Sequence, residues 1–336
     1  MKFVVLNGLP DEFFTTHPTQ LYKIFAGPTL VHLDFGHEQT IFISIMLHGN
    51  EHSGYYAIRD FLSSYKLSQK SPSKNISLLI GNVLAAKESA RYLDGQKDFN
   101  RIWSDGDSEE ERWAQKIYQE MASKNLFATV DLHNNTGKNP EYSAISNLES
   151  NTLRLASLFD GDILYFTDPK EVFTNYFSTL SPTLTVEAGR SGEEKGIQKI
   201  IELLTKIFDL ESFEELGLKE TILKNKKIFE SFGKIKIPQN ASISFDGHMA
   251  DFIFDPNIEN LNFNQILPGK IFGKSNNIDQ HLLVFDSSNQ LIGNSFFKYV
   301  GNEIITIEPF FPAMITTNAK IVHQDCLCYL LKAIDP

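Results

Sequence analysis

Residues 40–51 read TIFISIMLHGNE, and this stretch decides the class of fold that the chain can adopt. Its first eight residues are mostly apolar and rich in β-branched side chains, which predicts a buried strand over 40–47. His48-Gly49-Asn50-Glu51 follows where that strand should end. Residues 54–66 (GYYAIRDFLSSYK) then have helical spacing, and Ser53 is a candidate N-cap. A strand, a polar turn and a helix in this order predict one step of an α/β domain.

The alternation of strands and helices continues to about residue 210. Further strands are expected at 76–84, 126–132, 162–166 and 182–187. Further helices are expected at 109–124, 151–159 and 192–208, and a polar loop at 91–108. Strands that alternate with helices at this spacing imply an α/β domain with a largely parallel core sheet.

The composition changes near residue 210. Residues 211–233 are charged and are expected to form a connector, and short strand-like segments punctuated by Gly, Asn and Pro follow. One of these segments runs from Lys320 to Leu331. The predicted organisation is a catalytic α/β domain at 1–210, the connector at 211–233, and a small, mostly antiparallel β domain at 234–336.

Charge and cysteine content exclude several classes of protein. The chain has 336 residues and a net charge of -11, which argues against non-specific binding to nucleic acid or anionic membranes. No stretch approaches the roughly 20 apolar residues of a membrane span, and no signal peptide is recognisable, so we expect a cytoplasmic protein. Cys326 and Cys328 are expected to be free thiols on one face of a strand.

Two histidines and a glutamate form a candidate metal site. His48 and Glu51 lie three residues apart at one predicted strand end, and His133 lies at another. Sites of open α/β sheets form beyond the carboxyl ends of their strands. A His, Glu, His set is typical of catalytic zinc, which leaves a fourth position to water and lowers its pKa to about 7. Asp131 either orients a ligand or makes an ordinary strand-end hydrogen bond.

His-x-x-Glu spacing alone is weak evidence for a metal site. His248 and Asp251 have the same spacing of three residues in the β-rich part of the chain, and we do not expect them to bind a metal.

Glu187 lies at a third predicted strand end. It could take the proton of an attacking water and return it to a leaving amine, or it could pair with a Lys or Arg at a turn. Asn100 and Arg101 are suited to hold a substrate carboxylate, and Arg91 to stabilise a developing oxyanion. The alternative for each arginine is a surface salt bridge.

Four motifs, in this order, closely resemble those of the succinylglutamate desuccinylase/aspartoacylase family, a branch of the zinc carboxypeptidase-like fold. They are His48-Gly49-Asn50-Glu51, Arg91-Tyr92-Leu93-Asp94 leading to Asp98-Phe99-Asn100-Arg101, Asp131-Leu132-His133-Asn134-Asn135-Thr136, and Val186-Glu187-Ala188-Gly189. The resemblance covers about residues 40–200. It implies a mixed eight-stranded sheet flanked by helices, and a small β domain that narrows the mouth of the active site.

The resemblance also implies roles for the candidate residues. One zinc ion per chain would be held by His48, Glu51 and His133, with Glu187 as general base and then acid. Asn100 and Arg101 match the pair that holds the substrate carboxylate, and Arg91 the arginine that polarises the scissile carbonyl.

The chain departs from the family pattern in three ways. The loop between Arg91 and Asn100 is about two residues longer, and Phe99 stands where Leu is usual. No clear match exists for the further basic residue that reads the acyl-side carboxylate of N-acetylaspartate. Arg190 is a candidate for a substrate-reading charge. The acyl group therefore stays open.

The sequence is compatible with three functions. The leading one is hydrolysis of the amide bond of an N-acyl amino acid, and the second is a zinc carboxypeptidase acting on short peptides or cell-wall peptides. The third is a binding protein without turnover, which predicts a lost ligand or base, whereas both are present. The expected partner is a small anionic substrate, with no nucleic acid and no membrane, and homo-oligomerisation is left open.

Overall fold

The strand predicted from residues 40–47 forms, and it lies in the middle of a sheet. In the computed structural model, β3 (Gln39–Ile45) pairs in parallel with β4 (Asn75–Ile80) on one side and β5 (Asn125–Asn135) on the other. Residues 40–45 are buried, as expected of a strand covered on both faces.

The structure describes residues 3–217, 223–277 and 280–335. The chain divides into two compact units. The first consists of residues 1–134 and 141–227, and the second of residues 135–140 and 228–336.

The described part of the first unit contains eight strands in the order β1-β2-β4-β3-β5-β8-β6-β7. The five not yet named are β1 (Val4–Leu6), β2 (Thr29–Leu33), β6 (Tyr142–Ile145), β7 (Asp162–Tyr165) and β8 (Thr183–Arg190). The pairs β2–β4 and β6–β8 are antiparallel, whereas β1–β2 and β6–β7 are parallel. The sheet is therefore mixed, and the expectation of a largely parallel sheet is wrong. The reason is that two short strands with weak sequence signals, β2 and β6, run antiparallel to β4 and β8.

Helices form near each of the stretches expected to be helical. In the first unit they are α1 (Ser53–Ser68), α2 (Val83–Lys87), α3 (Glu109–Ala122), α4 (Ser150–Ser157), α5 (Phe173–Phe177) and α6 (Glu194–Asp209), with 3₁₀ turns at Asp11–Phe14, Pro18–Lys23 and Phe213–Leu216. The start of α3 is fixed by a capping box, in which the side chains of Ser108 and Glu111 each accept a hydrogen bond from the backbone N–H of the other.

The start of α1 differs from the prediction. His52 is the N-cap and makes no side-chain cap bond, whereas Ser53 is the first helical residue and is fully buried. A Cβ added to Gly54 would lie 2.8 Å from the Cβ of Leu132, so glycine is required where this helix start packs against β5. Buried Ser53 is thus available to bond other segments rather than to cap its own helix.

The loop predicted at 91–108 has no helix or strand, but aromatic side chains anchor it. The rings of Phe99 and Trp103 are buried, and their centroids lie 5.1 Å and 5.7 Å from that of Trp113 on α3. Trp103 N also donates to the carbonyl of Glu171 at 3.1 Å. Burying a Phe side chain contributes about 2–3 kcal/mol, so the loop is fixed by packing despite its polar sequence.

The second unit is rich in β structure. Its strands are β9 (Ile228–Lys236), β10 (Ile243–Ser244), β11 (Phe252–Ile253), β12 (Ile271–Ser275), β13 (Leu283–Asp286), β14 (Phe297–Val300), β15 (Glu303–Thr306), β16 (Phe311–Ala313) and β17 (Cys328–Ile334). Apart from the parallel β10–β11 pair, the pairs seen within this unit are antiparallel. The described residues of this unit also form 3₁₀ turns at Ile258–Leu261 and Gly293–Ser295.

The strand expected from Lys320 to Leu331 is partly wrong. The stretch opens with a helix, α7 (Ala319–Gln324), because the side chain of Asn318 accepts hydrogen bonds from the first helical amides. Cys326 therefore precedes β17, and the two cysteines do not share a strand, although both are free and buried. None of the helices in the described ranges is long and apolar enough to cross a bilayer.

Candidate active site

Three side chains of the first unit converge on one point. His48 follows β3, Glu51 lies two residues before the start of α1, and His133 lies within β5, which runs on to Asn135 instead of ending at His133 as expected. One ligand atom from each of the three lies within 4.8 Å of the others. Their side chains are only 3%, 7% and 2% exposed. We call these three residues the metal cradle.

A tight turn brings Glu51 back toward His48. Met46 adopts a left-handed conformation with φ of 57° directly after β3. Gly49 N donates to the carbonyl of Arg91 at 3.1 Å, and a Cβ on Gly49 would lie 2.2 Å from the backbone nitrogen of Ala86. The turn therefore requires glycine at this position, which explains the sequence between the two cradle residues.

Both cradle histidines use their ring nitrogens in the same way. Nδ1 of His48 lies 2.7 Å from Oε1 of Glu51, and Nδ1 of His133 lies 2.8 Å from Oε2. Nε2 of His48 lies 3.0 Å from Asp98, and Nε2 of His133 lies 2.7 Å from Asp131. A proton on each Nε2 gives both aspartates a hydrogen bond and leaves each Nδ1 facing the Glu51 carboxylate. These contacts are favourable when positive charge lies there, either as a proton on Nδ1 or as a cation bound in its place, so the cradle fits a cation.

The cradle is strongly polarised. Burial opposes ionisation of Glu51, but His48 and His133 outweigh it and hold the pKa of Glu51 below its usual range. Burial also opposes protonation of His133, but Asp131 and Glu51 raise the pKa of His133 well above its ordinary value. Contact with His133 favours the ligand-orienting role for Asp131 over an ordinary strand-end hydrogen bond.

Glu187 lies in β8, between buried neighbours on the same strand. Its Oε2 is shielded from solvent and has no hydrogen-bond partner among the described residues, although the residue as a whole is partly exposed. Burial raises the pKa of Glu187 to about 8, with the charge of Glu51 acting in the same direction and those of His133 and Arg91 acting against it. A carboxyl group that holds its proton near neutral pH is suited to general acid–base chemistry.

Asp98 joins the metal cradle to the arginine loop. Its Oδ1 contacts Nε2 of His48 and accepts a hydrogen bond from Asn100 N at 2.7 Å. Its Oδ2 accepts from both Nε and Nη2 of Arg91, at 3.0 and 2.9 Å. Burial opposes ionisation of Asp98, but His48 and Arg91 hold its pKa well below the usual range. One carboxylate thus orients a cradle histidine and fixes the plane of the Arg91 guanidinium.

Asn100 and Arg101, which the sequence predicts to hold a substrate carboxylate and which we therefore call the carboxylate clamp, are half-buried in the same loop. Oδ1 of Asn100 accepts a hydrogen bond from Phe173 N at 2.9 Å, and Nη1 of Arg101 donates to the carbonyl of Asn100 at 2.8 Å. The bond from Phe173 fixes which end of the Asn100 amide is the acceptor, so the donor end points the other way. The two side chains are thereby oriented as donors.

Residues 37–207 match the family model of the succinylglutamate desuccinylase/aspartoacylase catalytic domain. The chain belongs to this family. The matched span contains the metal cradle, the carboxylate clamp and Glu187, so every motif on which the resemblance rested lies inside it.

Solved structures of this family share the fold at low sequence identity. Succinylglutamate desuccinylase from Vibrio parahaemolyticus matches with a TM-score of 0.58 and 12% identity over 89% of this chain and 83% of that one. Murine aminoacylase 3 matches with a TM-score of 0.54 and 17% identity over 90% of this chain and 97% of that one. A family member from Rhodobacter sphaeroides matches with a TM-score of 0.58 and 11% identity, over 91% of this chain and 89% of that one. No curated protein matches the sequence.

Sequence reasoning gave no role to Asp98, although its motif was recognised. The available signal was its position two residues before Asn100, in a loop that also carries Arg91. Arg190 is the exposed last residue of β8 and follows Gly189, whose φ is 71°. A role of Arg190 in reading a charge of the substrate stays a prediction.

His248 and Asp251, which have the same spacing as His48 and Glu51, contact different neighbours. Nδ1 of His248 contacts Asp246 at 2.8 Å, and Oδ2 of Asp251 accepts hydrogen bonds from Ser242. The side chains of His248 and Asp246 are 84% and 67% exposed. The side chains of His248 and Asp251 thus each make local hydrogen bonds with other neighbours.

Proposed function

We propose that this protein is a zinc-dependent hydrolase that cleaves the amide bond of an N-acyl amino acid. The observation that carries the proposal is the buried His48, Glu51 and His133 group, in which the Nδ1 atom of each histidine lies 2.7–2.8 Å from a carboxylate oxygen of Glu51. Membership of the desuccinylase/aspartoacylase family supports amide hydrolysis as the class of reaction.

The donor set fits zinc better than the harder divalent cations. Two imidazoles and one carboxylate suit zinc, whereas magnesium and calcium prefer oxygen ligands. When bound, zinc would supply a Lewis acid and a water molecule of lowered pKa. Asp98 and Asp131 would hold the two imidazoles in the tautomer that binds a metal, since each accepts from an Nε2 atom.

Glu187 carries the proton in the proposed reaction. As a base it takes a proton from the attacking water, and as an acid it returns that proton to the leaving nitrogen. Its Oε2 has no hydrogen bond among the described residues that a proton transfer would have to break. Arg91, with its guanidinium held by Asp98, donates to the carbonyl oxygen as negative charge develops there.

The carboxylate clamp selects the substrate in this proposal. Arg101 pairs with the carboxylate of the amino-acid part, and the amide donor of Asn100 adds a second contact. Arg190 is proposed to read a further charge at the mouth of the site, where its exposure suits a long or charged acyl group. The absence of a recognisable acyl-side arginine leaves the acyl group to experiment.

A zinc carboxypeptidase acting on short peptides is the second candidate. The same observation favours it, because a clamp beside a metal-bound water can also hold the terminal carboxylate of a peptide. The two functions differ in the group on the acyl side of the scissile bond.

Amine release by the zinc-loaded protein, with a chelator-treated control, tests the proposal. The panel contains N-acetyl and N-succinyl amino acids beside N-blocked dipeptides with a free carboxyl terminus. We expect chelator-sensitive release from at least one N-acyl amino acid. Release from the dipeptides alone would move the protein to the carboxypeptidases, and release that survives the chelator would contradict zinc dependence.

A further inference from the structure

Asn134, the residue after the cradle histidine His133, has a fully used side chain. It is 5% exposed. Its Oδ1 accepts a hydrogen bond from Ser53 N at 3.1 Å, and its Nδ2 donates to Ser53 Oγ at 3.0 Å and to the carbonyl of Gly189 at 3.2 Å. Its backbone N–H donates to Oε2 of Glu51 at 3.1 Å. One residue therefore bonds to the segments that carry both Glu51 and Glu187.

Ser53 extends this link to the turn after β8. Its hydroxyl accepts a hydrogen bond from Gly192 N at 2.9 Å, and the hydroxyl of Ser191 accepts one from His52 N at 2.8 Å. The start of α1 is thus bonded both to Asn134 on β5 and to the segment that follows Glu187 on β8. We call Asn134, Ser53 and the backbone of residues 189–192 the Asn134 link.

We propose that Asn134 is a positioning residue: through the Asn134 link it holds the end of β8, and with it Glu187, at a fixed place relative to the metal cradle. Its expected effect on turnover rests on the function proposed above. Asn134 itself does not touch the reacting atoms in this scheme.

The amide of Asn134 fits its surroundings in one orientation only. Rotating the amide by half a turn would put a donor against Ser53 N–H and an acceptor against the Gly189 carbonyl. Truncating the side chain leaves a buried carbonyl and a buried N–H without partners, each costing about 1–3 kcal/mol unless the segments move apart. Movement of about 1 Å at a catalytic group can lower the rate about 100-fold.

Asn134→Ala and Ser53→Ala, singly and together, test this proposal in the full-length zinc-loaded protein. Asn75→Ala is the matched control, because the amide of Asn75 likewise bonds backbone groups of Phe35 and His37, but at the amino end of β4. The readouts are hydrogen–deuterium exchange of residues 52–54 and 189–193, zinc content, and kcat and KM on the substrate that the panel identifies.

In Asn134→Ala we expect at least about tenfold faster exchange in both segments, since Ser53 N–H loses its acceptor and residues 189–192 lose their tie to β5. We expect kcat to fall about 10- to 100-fold with KM within about twofold and zinc content unchanged. Ser53→Ala should act in the same direction, and the double variant should fall little further, because both changes break one link. Asn75→Ala should leave both segments and kcat unchanged.

Unchanged exchange at 189–193 in Asn134→Ala would overturn the link, as would kcat equal to that of Asn75→Ala. If Asn134→Ala does not fold, Ser53→Ala decides by the same two readouts. If the wild-type protein cleaves nothing in the panel, the function proposed above has failed, and the exchange data still decide whether Asn134 holds the end of β8.

Discussion

The metal cradle and the carboxylate clamp are built in different ways, although Asp98 connects them. The cradle residues lie in or beside secondary-structure elements, and their side chains are 2–7% exposed. The clamp residues lie in a loop without helix or strand, next to Arg91 and Asp98, which are 22% and 15% exposed. Hydrogen bonds along the backbone therefore fix the cradle, whereas the packing of Phe99 and Trp103 fixes the clamp. The difference predicts that damage to the cradle abolishes the reaction and that damage to the clamp weakens binding.

The largest effect is expected from removing a cradle ligand. His133→Ala should lose its zinc and, with it, all measurable chelator-sensitive turnover, because two remaining ligands hold zinc poorly. Metal analysis after dialysis checks this, with His248→Ala as the matched control that should keep one zinc per chain. One zinc per chain in His133→Ala would overturn the ligand assignment.

The next largest effect should come from removing the proposed general acid–base group, the carboxyl of Glu187. Glu187→Gln should keep one zinc per chain and lower kcat about 10²- to 10⁴-fold, because general acid–base catalysis typically contributes that much. Glu194→Gln, an exposed glutamate of α6, is the control. Turnover equal to that of the control would remove Glu187 from the mechanism.

Damage to the clamp should show as weaker binding. Arg101→Ala should raise KM about 10- to 100-fold, because a charge-assisted hydrogen bond contributes about 1.5–3 kcal/mol, and kcat should change less. Arg112→Ala on the exposed face of α3 is the control. A normal KM in the Arg101 variant would refute the clamp, and a loss in kcat alone would place Arg101 in the chemical step.

The last prediction concerns how the stability of the metal-free protein depends on pH through Glu187. The pKa of Glu187 is raised from 4.5 to about 8 in the folded, metal-free protein, so the folded state binds more protons than the unfolded chain between these values. Its free energy of unfolding should therefore decrease as pH rises from about 4.5 to about 8. Urea unfolding of metal-free wild type and Glu187→Gln should show the variant gaining relative stability over this range. A constant difference between pH 5 and pH 8 would mean that Glu187 titrates normally.

The central strand and the long helices of the first unit could be predicted from the spacing of apolar residues in the sequence. The β-branched run at 40–47 predicts β3, and the spacing of apolar residues predicts α1, α3 and α6. The rule that sites form at the carboxyl ends of strands predicted that His48, Glu51 and His133 would lie together, which they do. These inferences succeed because they depend on local patterns.

Features that depend on distant contacts could not be predicted. β2 and β6 have five and four residues, too few to show a clear alternation of apolar and polar side chains. Their antiparallel pairing makes the sheet mixed rather than largely parallel. The hydrogen bond between Ser53 and Asn134 joins residues that are 81 positions apart in the sequence. Local sequence does not show this bond, and a serine at the start of a helix predicts an N-cap instead. Likewise, the contact of Asp98 with His48 spans 50 residues, so the position of Asp98 near Asn100 could suggest a role for it but not this partner.

The most direct test of the central claim is titration of zinc into the metal-free protein while amine release from an N-acyl amino acid is followed. We expect no release without metal, a linear rise in rate with added zinc, and a plateau at one equivalent per chain. Full turnover in the metal-free protein, or a protein that binds no zinc at this stoichiometry, would contradict it.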